Sequence, residues 1–326
     1  MQKQSSKNLL PLKSFHRSYR EDYVDDFEAP GLFSLVGKTF SIIFKNWKLF
    51  FGLLFIIAVL AILLVGLFSQ DSLNSVRETI LNSSSELANG KLGEFATSGL
   101  VLISIVTTGG LSQDISDGNG LILAFIFLLL WLISIYFTRF ILAKKKVTLR
   151  QGFYKSLTPL ASTFVILAVI LAELIPIFIV IIFYNAALKT DFLSTPFYAL
   201  LFLAFAGLLI LLSCYLVSGS IIALVAVTSP GLYPLPALRE ANNLIFRRRI
   251  RFVIRLFFLL IVVAVNFVVI MLPIILIDSA LKNSFELFAS VPVVPFFLLL
   301  ATCFNFIFSS VYIYLYYRKM LDYEQN

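Results

Sequence analysis

Six blocks of this chain, at about 49–68, 120–142, 162–184, 197–226, 252–277 and 292–316, are almost wholly apolar and at least 20 residues long. About 20 apolar residues of helix, rising ~1.5 Å each, are the length needed to cross a bilayer core of roughly 30 Å. The blocks therefore predict an all-α, polytopic membrane protein with six spans. Composition agrees: 60% of the 326 residues are hydrophobic and only 13% are charged, whereas a soluble domain carries about 25% charged residues. A shorter block, Gly99 to Leu111, contains Ser104, Thr107, Thr108, Gly109 and Gly110. It is too short and too polar to span, and reads as an interfacial, re-entrant or exterior piece.

The basic residues set the orientation, because Lys and Arg accumulate in cytoplasmic loops. Twenty-two of them fall in the N-terminal region up to Lys48, in the connections 139–155 and 239–255, and at the C-terminus. The other three connections hold only Arg77, Lys91, Lys189 and Lys282. Both termini are thus expected in the cytoplasm and the loop 69–119 outside. Trp47, Tyr316 and Tyr317 then fall at the inner interface, and Tyr184 and Tyr198 at the outer one. Residues 1–30 mix both charge signs and read as a solvated cytoplasmic tail. They lack an apolar core, so the first membrane helix serves as insertion signal. The membrane domain runs over 31–319, and 320–326 form a short C-terminal tail.

A pattern recurs before the first, third and fifth spans. The segments SLVGKTFSIIFKNWKLFFGLLF from Ser34, TLRQGFYKSLTPLASTFVIL from Thr148 and ALREANNLIFRRRIRFVIRLFF from Ala237 each combine basic and apolar faces. Such a segment suits a helix lying in the membrane interface. The expected architecture is three helical hairpins, each introduced by a cytoplasmic interfacial amphipathic helix.

At these residues the chain resembles a known group. ALREANNLIFRRRIRFVIRLFFLL and LFSLVGKTFSIIFKNWKLFFGLL look like the six-helix membrane domain attached to some glycerophosphodiester phosphodiesterases, and like stand-alone YciC-like bacterial membrane proteins. KKKVTLRQGFYKSLTPL and TSPGLYPLPALREA look like uncharacterised relatives in small-genome bacteria. The resemblance spans roughly 30–320. It implies six spans with interfacial helices in a bacterial inner membrane, and no activity, since the phosphodiesterase chemistry belongs to a separate domain.

The residues offer little to an enzyme. Acid–base and metal chemistry need convergent His, Asp, Glu or Cys. His16 is the only histidine, and Cys214 and Cys303 both lie in apolar blocks. No metal-ligand spacing or phosphate loop occurs, so no catalytic residue, metal or cofactor is expected. Gly219 and Ala223 form a small-xxx-small pair suited to close helix packing. The basic clusters Lys144, Lys145, Lys146 and Arg150, and Arg247, Arg248, Arg249 and Arg251, fix topology and are candidate contacts for anionic lipid headgroups. Nucleic acid is not expected as a partner, because the clusters hug membrane helices. The partners left are the bilayer, its anionic headgroups, other proteins and a second copy of the chain.

One carboxyl stands inside a span. Glu173 lies about 11 residues into the third block, ~16 Å along a straight helix, and Asn266 and Asn305 reach similar depth in the fifth and sixth. No Lys or Arg is expected at that depth. Ionised and alone, a carboxylate there costs several kcal/mol or more, so Glu173 must be paired, protonated or facing water. Three readings remain open: a neutral carboxyl bonded to Asn266, Asn305 or backbone that locks the bundle; a protonation site used in transport; and a lipid-facing group. Pro176 adds that the carbonyl of Ala172 loses its N–H partner. Two function classes follow. One is a structural, interaction or lipid-organising envelope protein, and the other a transporter or channel for a small solute or lipid. The topology is testable directly: cysteines placed at Ser84 and Asn283 should react with an impermeant reagent on whole cells, and one at Ser5 should not.

Overall fold

The computed structural model describes residues 31–65, 117–190, 195–229, 232–246, 248–284 and 293–325. The N-terminal tail, the loop 69–119 up to residue 116 with its Gly99–Leu111 block, and Arg247 lie outside the described residues. Ten helices and no strand occur among those described: α1 Leu32–Lys45, α2 Trp47–Val65, α3 Asp117–Leu142, α4 Leu149–Ser156, α5 Leu160–Glu173, α6 Ile175–Lys189, α7 Pro196–Ala226, α8 Pro234–Ile245, α9 Arg249–Ser284 and α10 Val293–Gln325.

Six segments are long and apolar enough to cross a membrane: Trp47–Leu64, Gly120–Leu142, Leu160–Ala187, Phe197–Ala226, Arg249–Asp278 and Phe296–Leu321. They coincide with the six apolar blocks. The third is made of two helices, α5 and α6. Short helices α1, α4 and α8 precede the first, third and fifth spans. α1 turns Leu35, Thr39 and Ile43 inward, and α8 turns Ala237, Ala241 and Ile245 inward. This four-residue spacing puts each set on one helix face.

The local sequence explains where α3 stops and α4 starts. Lys144 adopts a left-handed backbone, φ 55°. The N–H of Lys145 bonds the carbonyl of Phe140, and that of Lys144 the carbonyl of Ile141, each at 3.0 Å. This is a Schellman stop, in which the last free carbonyls of a helix are taken up by the chain as it turns. Thr148 then opens α4 with a capping box to Gln151, each satisfying the other's backbone N–H.

The core centres on α10, which contacts α1, α2, α3, α7, α8 and α9. Every residue from Ser310 to Leu321 is buried. The rings of Phe40, Phe304, Phe306 and Phe308 join it to α1, α2 and α3, with Phe40 to Phe308 at 4.7 Å, Phe51 to Phe304 at 6.5 Å and Phe127 to Phe306 at 5.0 Å. Two sequence expectations change here. Tyr316 and Tyr317 face the bundle interior and not its surface: Tyr316 stacks on Phe252 at 5.2 Å, and Tyr317 is 0% exposed. Nor does the chain leave the bundle after 319, since α10 continues to Gln325 with Met320 and Leu321 buried. Apolar packing against α8 and α9 explains both: a tyrosine run followed by Met and Leu can supply an interior face as well as a membrane surface.

Burial is uneven among the spans. In the most apolar 18-residue stretch of each span, 67% of residues are buried in the sixth and 56% in the second, against 33% in the first and only 11% in the third, fourth and fifth. Large apolar side chains such as Ile182, Leu203, Leu211 and Val269 are exposed there. The bundle thus has a compact half, α2, α3 and α10, and a half that turns most of its apolar surface outward.

Candidate functional site

The third span breaks at Glu173. α5 ends on that residue, Leu174 stands between the two helices, and Pro176 lies in the first turn of α6. In an unbroken helix the N–H groups of residues 176 and 177 would bond the carbonyls of Ala172 and Glu173. Proline has no N–H to give. The Ile177 N–H turns instead to the carbonyl of Leu174 at 3.0 Å, and Phe178 joins it there at 3.2 Å. The Glu173 carbonyl is left over, and Ser213 of α7 takes it, donating its hydroxyl at 2.9 Å. Two turns further along α7, Ser220 donates to the Glu173 carboxyl at 2.8 Å, on Oε1. Positions seven apart lie on one helix face, so a single face of α7 holds both the main chain and the side chain of Glu173. Ser213 and Ser220 are each 0% exposed. The second carboxyl oxygen, Oε2, is buried and has no hydrogen-bond partner.

Gly219, beside Ser220, positions the other side of the site. A Cβ there would meet Asn242 Oδ1. Only glycine lets α8 come this close, and the small residues Ala223, Ala237 and Ala241 continue the seam, all fully buried. The expected small-residue pair Gly219 and Ala223 is therefore occupied by α8. Asn242 in turn accepts from Arg249 Nη2 at 3.0 Å, while Nη1 bonds the Tyr215 carbonyl at 3.1 Å. The guanidinium lies 3.9 Å from the Tyr215 ring centre, a cation–π contact. Held there, Arg249 bonds the same stretch of α7 that presents Ser213 and Ser220 to Glu173. No hydrogen bond joins Arg249 to Glu173.

This arrangement redraws the site expected from the sequence. An arginine does approach Glu173. Asn266 and Asn305 do not bond it. Asn266 lies 17 residues beyond Arg249 on α9, about 25 Å along the helix. It lines a largely apolar groove of about 630 Å³ with Phe44, Phe51, Phe55 and Phe304. Asn305 is 4% exposed on α10, and neither atom of its amide has a hydrogen-bond partner. Glu173 thus faces the Ser213–Ser220 stretch of α7, which Arg249 also bonds, and neither asparagine.

The basic clusters also divide. Lys144, Lys145 and Lys146 are exposed at the end of α3, and Arg150 is exposed on α4 beside the Tyr154 ring at 5.9 Å. Arg248 and Arg251 join Arg255, Lys319 and Tyr316 around a small cavity of about 120 Å³. Arg249 turns inward, as described. Among the described residues no group of three or more His, Cys, Asp or Glu is placed to hold a metal ion. The sequence reading missed Ser213 and Ser220, whose seven-residue spacing inside an apolar span was the available signal. It also missed Arg255 and Lys319, which approach only through the packing of α9 on α10. No protein-family model, curated protein or solved structure matches the chain.

The carboxyl is tested by substitution. Glu173→Gln keeps an acceptor for Ser220 and should leave unfolding in detergent close to wild type. Glu173→Leu strands that hydroxyl and should destabilise by ~1–3 kcal/mol. Equal losses in the two variants would contradict the hydrogen-bonded role.

Proposed function

We propose that this protein is a structural, lipid-organising protein of a bacterial cytoplasmic membrane. Its six spans form three helical hairpins, with α1, α4 and α8 as amphipathic helices on the cytoplasmic face, the arrangement implied by its resemblance to YciC-like proteins. Both termini face the cytoplasm, and the chain carries no catalytic site. The observation that supports this reading best is the uncovered apolar surface: in three of six spans the most apolar 18-residue stretch has only 11% of its residues buried. Surface of that extent is matched by lipid chains or by the helices of a partner. The compact half made by α2, α3 and α10 supplies a fixed frame for it.

A second reading, transport, is favoured by the break at Glu173. Discontinuous helices beside an ionisable group mark the binding sites of many transporters, and Oε2 has no partner. Against it stands the geometry of the carboxyl, which is fixed by the Ser220 hydroxyl on α7.

Nanodiscs carrying a photoactivatable phospholipid separate the two. The lipid-organising reading predicts strong labelling at Leu203, Leu211 and Val269 and little at the buried Leu130 and Ile307. It also predicts no proton flux above protein-free vesicles when a pH dye is trapped inside. Flux abolished by Glu173→Gln would establish the transport reading instead.

A further inference from the structure

We infer that the cavity between the ends of α3, α4 and α7 and the first turn of α5 is a phosphate-binding site. The cavity measures about 550 Å³. Arg139, in the last turn of α3, reaches into its wall and is only 5% exposed. Its head is fixed: Nη1 bonds the Thr228 carbonyl at 3.1 Å, and Nη2 bonds Ser229 Oγ at 2.9 Å. Lys155, from the end of α4, adds a second and exposed cation to the same lining. Ser156 follows it. This residue is 3% exposed, lines the cavity, and its hydroxyl has no hydrogen-bond partner. A buried hydroxyl left in that state costs about 1–3 kcal/mol, which a ligand oxygen would remove.

The opposite wall is the start of α5, which lines the cavity through Pro159 and Ser162. Pro159 is the cap residue and makes no side-chain bond to the first-turn N–H groups. A helix start is a region of positive potential with N–H donors to spare. Two cations, serine and threonine hydroxyls and a helix N-terminus form a lining rich in donors, and a phosphate is rich in acceptors and negatively charged. Leu132, Ile135 and Leu232 supply an apolar wall beside them, as suits a phosphate attached to glycerol or another carbon skeleton. The position is also right for a membrane ligand, since the cavity lies where the second, third and fourth spans end. Either a phospholipid headgroup or a free phosphoester presents this chemistry. The site does not depend on the lipid-organising reading, because weak photolipid labelling of α7 and α9 would leave it unchanged.

The test uses the full chain, delipidated in detergent, with three probes: phosphatidylglycerol, glycerol 3-phosphate and inorganic phosphate. Native mass spectrometry counts bound lipid, and calorimetry measures the soluble anions. Phosphatidylglycerol that is retained by wild type and not displaced by millimolar phosphate identifies the source as lipid. Binding of either soluble anion in competition with lipid identifies a free phosphoester. In both cases Lys155→Gln should weaken binding about fivefold, as for one basic residue near a headgroup, and Ser162→Asp, which sets a carboxylate in the cavity, should abolish it. Both positions are partly exposed, so these variants should fold even where Arg139→Gln does not. No binding of any probe to wild type, or binding unchanged in folded Lys155→Gln and Ser162→Asp, would overturn the assignment.

Discussion

A main-chain carbonyl within an apolar span must find a donor inside the protein, because lipid offers none. In the third span Pro176 removes one donor and displaces a second, and the Glu173 carbonyl is answered by Ser213 from the neighbouring helix. Much of the site follows from that exchange. The break fixes where α5 ends, so the Glu173 side chain emerges opposite α7 and meets Ser220. Ser220 adjoins Gly219, whose missing side chain admits α8 and brings Asn242 to Arg249. A proline, two serines and a glycine thereby join three helices around one carboxyl.

The same joint explains the uneven packing. α5 and α6 are tied to α7 through this polar contact and through their own apolar faces, and α7 carries α8 on its other end. Neither α6 nor the first half of α7 needs to enter the compact half of the bundle, so Ile182, Phe183, Leu203 and Leu211 remain exposed. The compact half is held differently, by aromatic rings around α10 and by close approaches such as Gly152 of α4 against the Phe137 ring. One half is specified by shape and the other by a few hydrogen bonds. In lipid, apolar contact alone distinguishes poorly between partners, and small residues and polar contacts provide the specificity.

How much of this was legible beforehand follows from what local pattern can encode. The six spans were visible because length and apolarity are local properties, and the places of α1, α4 and α8 were visible as segments recurring before alternate spans. Glu173 and Pro176 were conspicuous in an apolar run. Their partners were not, because Ser213 is 40 residues away in sequence, and nothing in the third span says which face of the fourth it will meet. Tyr316 and Tyr317 show the limit of composition, since tyrosine serves equally in an interface and in a core. Arg139 was counted as a topological charge, and its burial against Thr228 and Ser229 depends on the packing of three helix ends that no short motif records.

The exchange at the break can be measured as a coupling between Pro176 and Ser213. Ser213→Ala alone strands the Glu173 carbonyl and should cost about 1–3 kcal/mol in detergent unfolding. In a Pro176→Ala background the restored N–H lets an unbroken helix re-form, the carbonyl regains its partner at Ile177, and the serine is no longer needed. Ser213→Ala should then cost less than about 0.5 kcal/mol, a strong departure from additivity for the pair. An equal cost in both backgrounds would show that Ser213 does not answer the broken helix, and would remove the interaction on which this account rests.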